Sequence, residues 1–215
     1  ALDVSRSMCS VDVEPNRLSA AKAALRDFVA AQDPETRIGL IAFAGYAEVV
    51  APPSTDRRQL EVTLETLPTG RGTAIGSAIL RSVDAIAGIN PDVPPVASDE
   101  VPEPPGEQRL PLPAPDLDAI TPPTAEPIAD VVVLLTDGAN TRGVLPMDAA
   151  AVAAKRGIRV FPIGFGTTQP TRMVCSPDQL GADAYTETSP YGQGNLAQFL
   201  VVDEPTLQGV AKATG

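Results

Sequence analysis

The run Val131-Val132-Val133-Leu134-Leu135-Thr136 constrains the fold more than any other stretch of this 215-residue chain. It is apolar without alternation and ends in Asp137-Gly138. A strand that shows no polar face is buried on both faces, which is the mark of a parallel sheet covered by helices on each side. Ile38-Gly39-Leu40-Ile41-Ala42-Phe43-Ala44 repeats the pattern. Arg159 to Gly166 is a further strand, with Pro162 making its pairing imperfect. Between these runs lie segments of helical period. Leu18, Ala21, Leu25, Phe28 and Val29 form one, with Arg17, Lys22, Arg26 and Asp27 between them as polar positions. Leu60, Leu64 and Leu67 form a second, capped by Thr55 or Asp56. Ile75, Ile79, Val83 and Ile86 form a third. Pro146 to Arg156 and Glu204 to Ala213 complete the set, each with proline in its first turn. Ala47 to Ala51 reads as a short edge strand returning from Ile38–Ala44 and stopped by Pro52-Pro53. The alternation predicts an α/β, doubly wound, mostly parallel central sheet with Val131–Thr136 in the middle, helices on both faces and one short antiparallel edge strand.

At its start the chain reads Ala1-Leu2-Asp3-Val4-Ser5-Arg6-Ser7. In an extended segment Asp3, Ser5 and Ser7 point the same way. A carboxylate and two hydroxyls on one side of a strand end suit a hard dication that takes oxygen ligands. They equally suit capping of the next helix. Two later stretches join them. Gly70-Arg71-Gly72-Thr73 puts a threonine just before the third helix, and Thr136-Asp137-Gly138 ends the Val131 strand. In a parallel sheet all three lie at the carboxyl ends of strands, where such sheets bind ligands. The glycine loop is not a phosphate cradle, because no G-x-G-x-x-G or Lys-Ser/Thr follows. Its glycines are expected to let the backbone approach a cation.

Composition narrows the chemistry. The chain has no histidine, which removes the commonest general base and zinc ligand. Its net charge of −11 argues against binding a phosphate backbone. Residues 91–128 hold eight Asp/Glu against one Arg, and twelve of the 23 prolines. That composition does not fold alone and predicts a solvated surface insertion at about 90–128. A second long loop is expected at about 167–196, followed by a short strand at Phe199–Val202. Asp12 or Glu14 could serve as the base of an enzyme, but their position after a turn is better explained by capping. Cys9 and Cys175 each follow a predicted strand, so they are either separate small hydrophobes or a disulfide, and a bridge would imply an oxidising compartment. The chain reads as a single domain over 1–215, trimmed at both ends, since it begins inside a strand.

The ordered trio of D-x-S-x-S, loop threonine and T-D-G resembles the metal-ion-dependent adhesion site of von Willebrand factor type A domains. Within that family the chain looks most like bacterial membrane-anchored, Bat-like aerotolerance proteins. Leu2 to Met8, Asp12 to Leu18, Ile38 to Gly45, Gly72 to Gly76, Leu134 to Gly138 and Val202 to Leu207 carry that likeness. The resemblance implies Asp3, Ser5, Ser7, Thr73 and Asp137 as metal ligands, with Mg²⁺, or Mn²⁺ or Ca²⁺, as the ion. It implies a non-enzymatic module whose cation accepts an Asp or Glu carboxylate from a partner protein. It further implies an extracytoplasmic domain, membrane helices flanking it, and work alongside a MoxR-type AAA+ ATPase system. The competing readings are a scaffold that binds through its Pro-rich insertion, and a metal-assisted hydrolase.

Overall fold

A computed structural model of the chain describes residues 1–104, 113–167, 171–181 and 202–215. Five strands form one sheet: β1 (Leu2–Asp3), β2 (Ile38–Phe43), β3 (Ala47–Ser54), β4 (Val131–Thr136) and β5 (Arg159–Gly164). Their order is β3-β2-β1-β4-β5, parallel throughout except for the antiparallel β2–β3 pair. The middle place belongs to β1, with β4 beside it, not to β4 as the apolar run suggests. Both strands are buried on both faces, so the run alone does not rank them.

The helices are α1 (Arg17–Ala30), α2 (Arg57–Thr66), α3 (Ile75–Ala87), α4 (Pro146–Lys155), the single turn α5 (Pro177–Leu180) and α6 (Glu204–Thr214). They divide the core in two, as a doubly wound sheet requires. Val132, Leu134 and Val160 pack with Ile75, Ile79, Val83, Ala149 and Val210 from α3, α4 and α6. Leu2, Leu40, Ala42 and Leu135 pack with Leu18, Ala21, Leu60 and Leu64 from α1 and α2. Alternate residues of each strand feed opposite cores. The expected α/β class, mostly parallel with helices on both faces, is borne out.

Three local expectations need correction. The edge strand is not short: β3 runs eight residues, through Pro52 and Pro53 to Ser54. Its pairing with β2 shifts register around Leu40, and an edge tolerates residues that lack an N–H on its open side. The helix α1 is capped by Asn16, whose side chain accepts from the Ser19 N–H, and not by Asp12 or Glu14. The Pro-rich insertion is irregular but not simply solvated. Val93 is buried, Arg156 donates to the carbonyls of Pro94 and Pro95 and to Glu100, and Lys212 donates to the Leu117 carbonyl. These anchors lie near the carboxyl ends of α3 and α4 and along α6, so the insertion is strapped to the sheet's far end. The predicted strand Phe199–Val202 falls on residues that, but for Val202, lie outside the described ones.

Candidate metal centre

The site begins where β1 ends. After Asp3 the chain leaves the sheet, and Arg6–Cys9 forms a 3-10 turn. Asp3 is fully buried; its Oδ1 accepts the Ser5 N–H at 2.7 Å and its Oδ2 accepts the Thr136 hydroxyl at 2.7 Å. The Ser5 and Ser7 hydroxyls are 2.8 Å apart, and Ser7 Oγ donates to Asp137 Oδ1 at 2.8 Å. Four side chains read from two distant stretches therefore form one continuous cluster: Asp3, Ser5, Ser7 and Asp137.

Thr73 stands on the adjacent loop. It is buried, its N–H donates to Thr141 Oγ1 at 2.8 Å, and its carbonyl accepts the N–H groups of Thr141 and Arg142. Asn140 holds the next turn by accepting the Ile75 N–H at 2.8 Å. Thus the loop after β4, which carries Asp137, also fixes Thr73. The Thr73 hydroxyl has no hydrogen bond to the other four among the described contacts. Gly70 has a different task from the one expected. It pairs with Ser5 as an isolated bridge, and a Cβ there would meet Ala44 Cβ at 2.7 Å, so it lets the loop lie against the β1 strand end.

The electrostatics are those of a site with surplus negative charge. Burial raises the Asp3 carboxyl, against the pull of hydrogen bonds from Thr136 and Ser5. Burial, and then the charge of Asp3, push Asp137 up to about 7. Asp137 Oδ2 also accepts Arg17 Nη1 at 3.0 Å. Arg17 gives its other edge to Asp12, whose carboxyl is held down to about 2 by those hydrogen bonds. One guanidinium thus serves two carboxylates while Asp3 relies on neutral donors. The donor set is all oxygen, and no three acidic or cysteine side chains converge among the described residues. Two carboxylates with flanking hydroxyls fit a small hard dication, which would offset the repulsion that burial creates.

Arg17, Asp12, Thr136 and Thr141 were not singled out by the sequence as site residues. Arg17 read as one of the polar positions of α1, yet it is fully buried. No local pattern distinguishes an arginine that pairs with carboxylates far away in sequence.

Cys9 and Cys175 form a disulfide across a sequence separation of 166 residues. It clamps the 3-10 turn of the site to the segment that leads into α5. Gln179 strengthens that clamp by exchanging side-chain hydrogen bonds with Asn16 at 2.9 and 3.1 Å and by accepting from Thr69 through its carbonyl.

A doubly wound sheet with D-x-S-x-S at the end of its middle strand, a threonine loop and an aspartate after the next strand is the arrangement expected from the resemblance to adhesion-site α/β domains. Residues 1–96 match the von Willebrand factor type A domain, which bears out the family resemblance. A UPF0353 protein of Mycobacterium ulcerans is 32% identical over 223 residues, covering all of this chain and 52% of that protein. One from Mycobacterium leprae is 32% identical over 172 residues, covering 77% of this chain and 43% of the relative. The chain thus spans about half the length of the curated relatives it matches. Among solved structures, an aerotolerance-related membrane protein from Bacteroides fragilis superposes with a TM-score of 0.63 at 23% identity, covering 99% of this chain and 84% of that one. BatB from Bacteroides thetaiotaomicron gives 0.63 at 24%, covering 99% and 83%. At these identities the likeness is one of fold.

Proposed function

We propose that this chain is a metal-dependent protein-binding module. Asp3, Ser5, Ser7, Thr73 and Asp137 hold a divalent cation, Mg²⁺ by preference, with Mn²⁺ and Ca²⁺ as substitutes. The bound ion supplies an electrophilic position that a partner's Asp or Glu carboxylate fills. The observation that carries this reading is the continuous Asp3–Ser5–Ser7–Asp137 cluster with two buried carboxylates. The chain's part is to keep both carboxylates aimed at one point through Thr136, Ser7 and Arg17. We read it as a binder and not an enzyme, since it has no histidine and Asp137, which accepts the Ser7 hydroxyl, already serves Arg17.

The wider setting follows by resemblance. A membrane-anchored parent with the domain outside the cytoplasm is supported by the membrane protein among its structural neighbours and by the Cys9–Cys175 disulfide, which suits an oxidising compartment. Among the described residues no helix is long and apolar enough to cross a membrane. Partnership with a MoxR-type ATPase rests on the family likeness.

Calorimetric titration of Mg²⁺, Mn²⁺ and Ca²⁺ into the chain, beside Asp3→Ala, tests the core of the proposal. One saturable site in the wild type, absent from a folded Asp3→Ala protein, is expected. Equal binding by both proteins would sink the assignment.

A further inference from the structure

A buried guanidinium stands between the candidate cation site and the rim beyond β5. Arg17 is the first residue of α1 and is fully buried. Its Nε and Nη2 donate to the two oxygens of Asp12, each at 2.7 Å. Its Nη1 donates to Asp137 Oδ2 at 3.0 Å. Asp12 Oδ2 also accepts the backbone N–H and the hydroxyl of Thr167, both at 2.9 Å. The neighbouring Gly166 has φ +128°, and a Cβ on it would fall 2.5 Å from Arg17 Cζ. The chain after β5 therefore lies directly on the guanidinium, and only glycine permits that approach.

The path from Asp137 to Arg17, Asp12 and Thr167 is unbroken. Each link is charge-assisted, and the planar fork of arginine is what lets one side chain grip two carboxylates at once. A lysine reaches one of them. Because Nη1 occupies Asp137 Oδ2, the other oxygen, Oδ1, is the one turned to Ser7 and hence to the cluster. We propose that Arg17 is the positioning residue of this site: it fixes which oxygen Asp137 presents, and through Asp12 it couples the site's occupation to the backbone at Thr167. This rests on the reading that the site takes a divalent cation. The coupling follows from shared charge. A dication that draws on Asp137 weakens its hold on Nη1, and the guanidinium then leans towards Asp12, which carries Thr167.

The proposal opposes a simpler view, in which Arg17 is only a positive charge that a cation must overcome. That view expects tighter cation binding when the charge is removed. A positioning role expects weaker binding, by about tenfold or more, as for other residues that orient metal ligands. The experiment is an Mg²⁺ titration of the chain and of Arg17→Gln, Arg17→Lys and Asp12→Asn. Calorimetry reads affinity, while ¹⁵N NMR follows the Arg17 Nε–H and Thr167 N–H resonances. In the wild type both resonances are expected to shift with the calorimetric midpoint. Arg17→Gln and Arg17→Lys are expected to bind about tenfold or more weakly. Asp12→Asn is expected to bind within a few-fold of wild type while the Thr167 response is lost. Tighter binding by Arg17→Gln overturns the positioning role. A Thr167 amide that ignores bound Mg²⁺ in the wild type overturns the coupling. Absence of any cation binding by the wild type removes the underlying reading and this one with it. Should the Arg17 variants fail to fold, the wild type and Asp12→Asn still decide the coupling.

Discussion

Burial, and then the charge of Asp3, lift the Asp137 carboxyl to about 7 when no cation is present, while Ser7 and Arg17 pull it back down. In the unfolded chain the same group titrates near ~3.9. Between those values the folded state binds the extra proton, so this residue's contribution to stability is greatest below about pH 4 and is lost as pH rises through about 7. Asp12, held down to about 2, stays charged across that window and adds nothing to the slope. The buried α-amino group, pushed down to about 5, titrates there too but is common to wild type and variant. Asp137→Asn should therefore match wild-type stability near ~pH 5 and exceed it by about 2 kcal/mol near ~pH 8 in chelator, a gain limited by weaker pairing with Arg17. Urea denaturation at both pH values checks this. The same carboxylate is needed by the cation, so the stabilised variant should lose Mg²⁺ binding, as functional groups held in unfavourable surroundings commonly do. A variant no more stable at the higher pH would mean that Arg17 and Ser7 already compensate the charge.

Elements show how far local pattern reaches. The long helices were legible because α1, α2 and α3 carry an apolar stripe at helical spacing and α2, α4 and α6 an obvious cap or proline, as in Asp56 before α2 and Asp203 before α6. The turn α5 was not legible: four residues have no period to read, although Ser176-Pro177-Asp178-Gln179 carries a capping box that would have marked it. Of the candidate site, the residues that announce themselves by motif were named, while Arg17 and Asp12 were not, since their roles arise only when the start of α1 meets the turn after β4 and the chain after β5. The disulfide stood between two readings for the same reason, spacing alone leaving pairing undecided. Its closure ties the site turn to α5 over 166 residues, so the chain-entropy view gives it a stabilising effect of about 5 kcal/mol. The Cys9→Ser, Cys175→Ser double variant should lose that much in urea denaturation. Trypsin should also cut faster after exposed Arg172, which is bonded to Val11 through its carbonyl. Unchanged midpoint and unchanged cleavage would show that Gln179, Asn16 and Thr69 hold the segment without the bridge.

At the scale of the whole molecule, residues 1–215 pair the middle of the sheet over a short length. The strand β1 has two residues, whereas β2 and β4 on either side have six each. Pairing across the centre sets Leu2 against Ala42 and Leu135, and Asp3 against Phe43, with the Val4 N–H on the Phe43 carbonyl and the Leu135 N–H on the Ala1 carbonyl beside them. Behind it, the facing edges of β2 and β4 line a cavity of about 660 Å³ with Leu25, Phe28, Leu64 and Ile86. Its walls are mainly apolar side chains and residues of β2 and β4, with Gln32, Arg37, Ser82, Asn90 and Asp130 among the polar part, a lining that suits an extended, largely apolar segment. The Ala1 ammonium sits at its mouth, bonded to the Val133 carbonyl at 2.6 Å, where burial disfavours its charge. An apolar run such as Val-Val-Leu-Val placed ahead of Ala1 should enter this slot in parallel register, replace the ammonium by an amide and pair with both edges. Burying about four such side chains, less the cost of ordering them, leaves about 3 kcal/mol, or roughly 6–12 °C in Tm for a chain of this size. A Ser-Gly-Ser-Gly extension of equal length removes the same terminal charge without the apolar fill and should recover only part of that gain. Calorimetric melting of the three proteins separates the two contributions. If both extensions melt alike, the slot is stabilised by loss of the buried charge alone, and apolar fill contributes nothing.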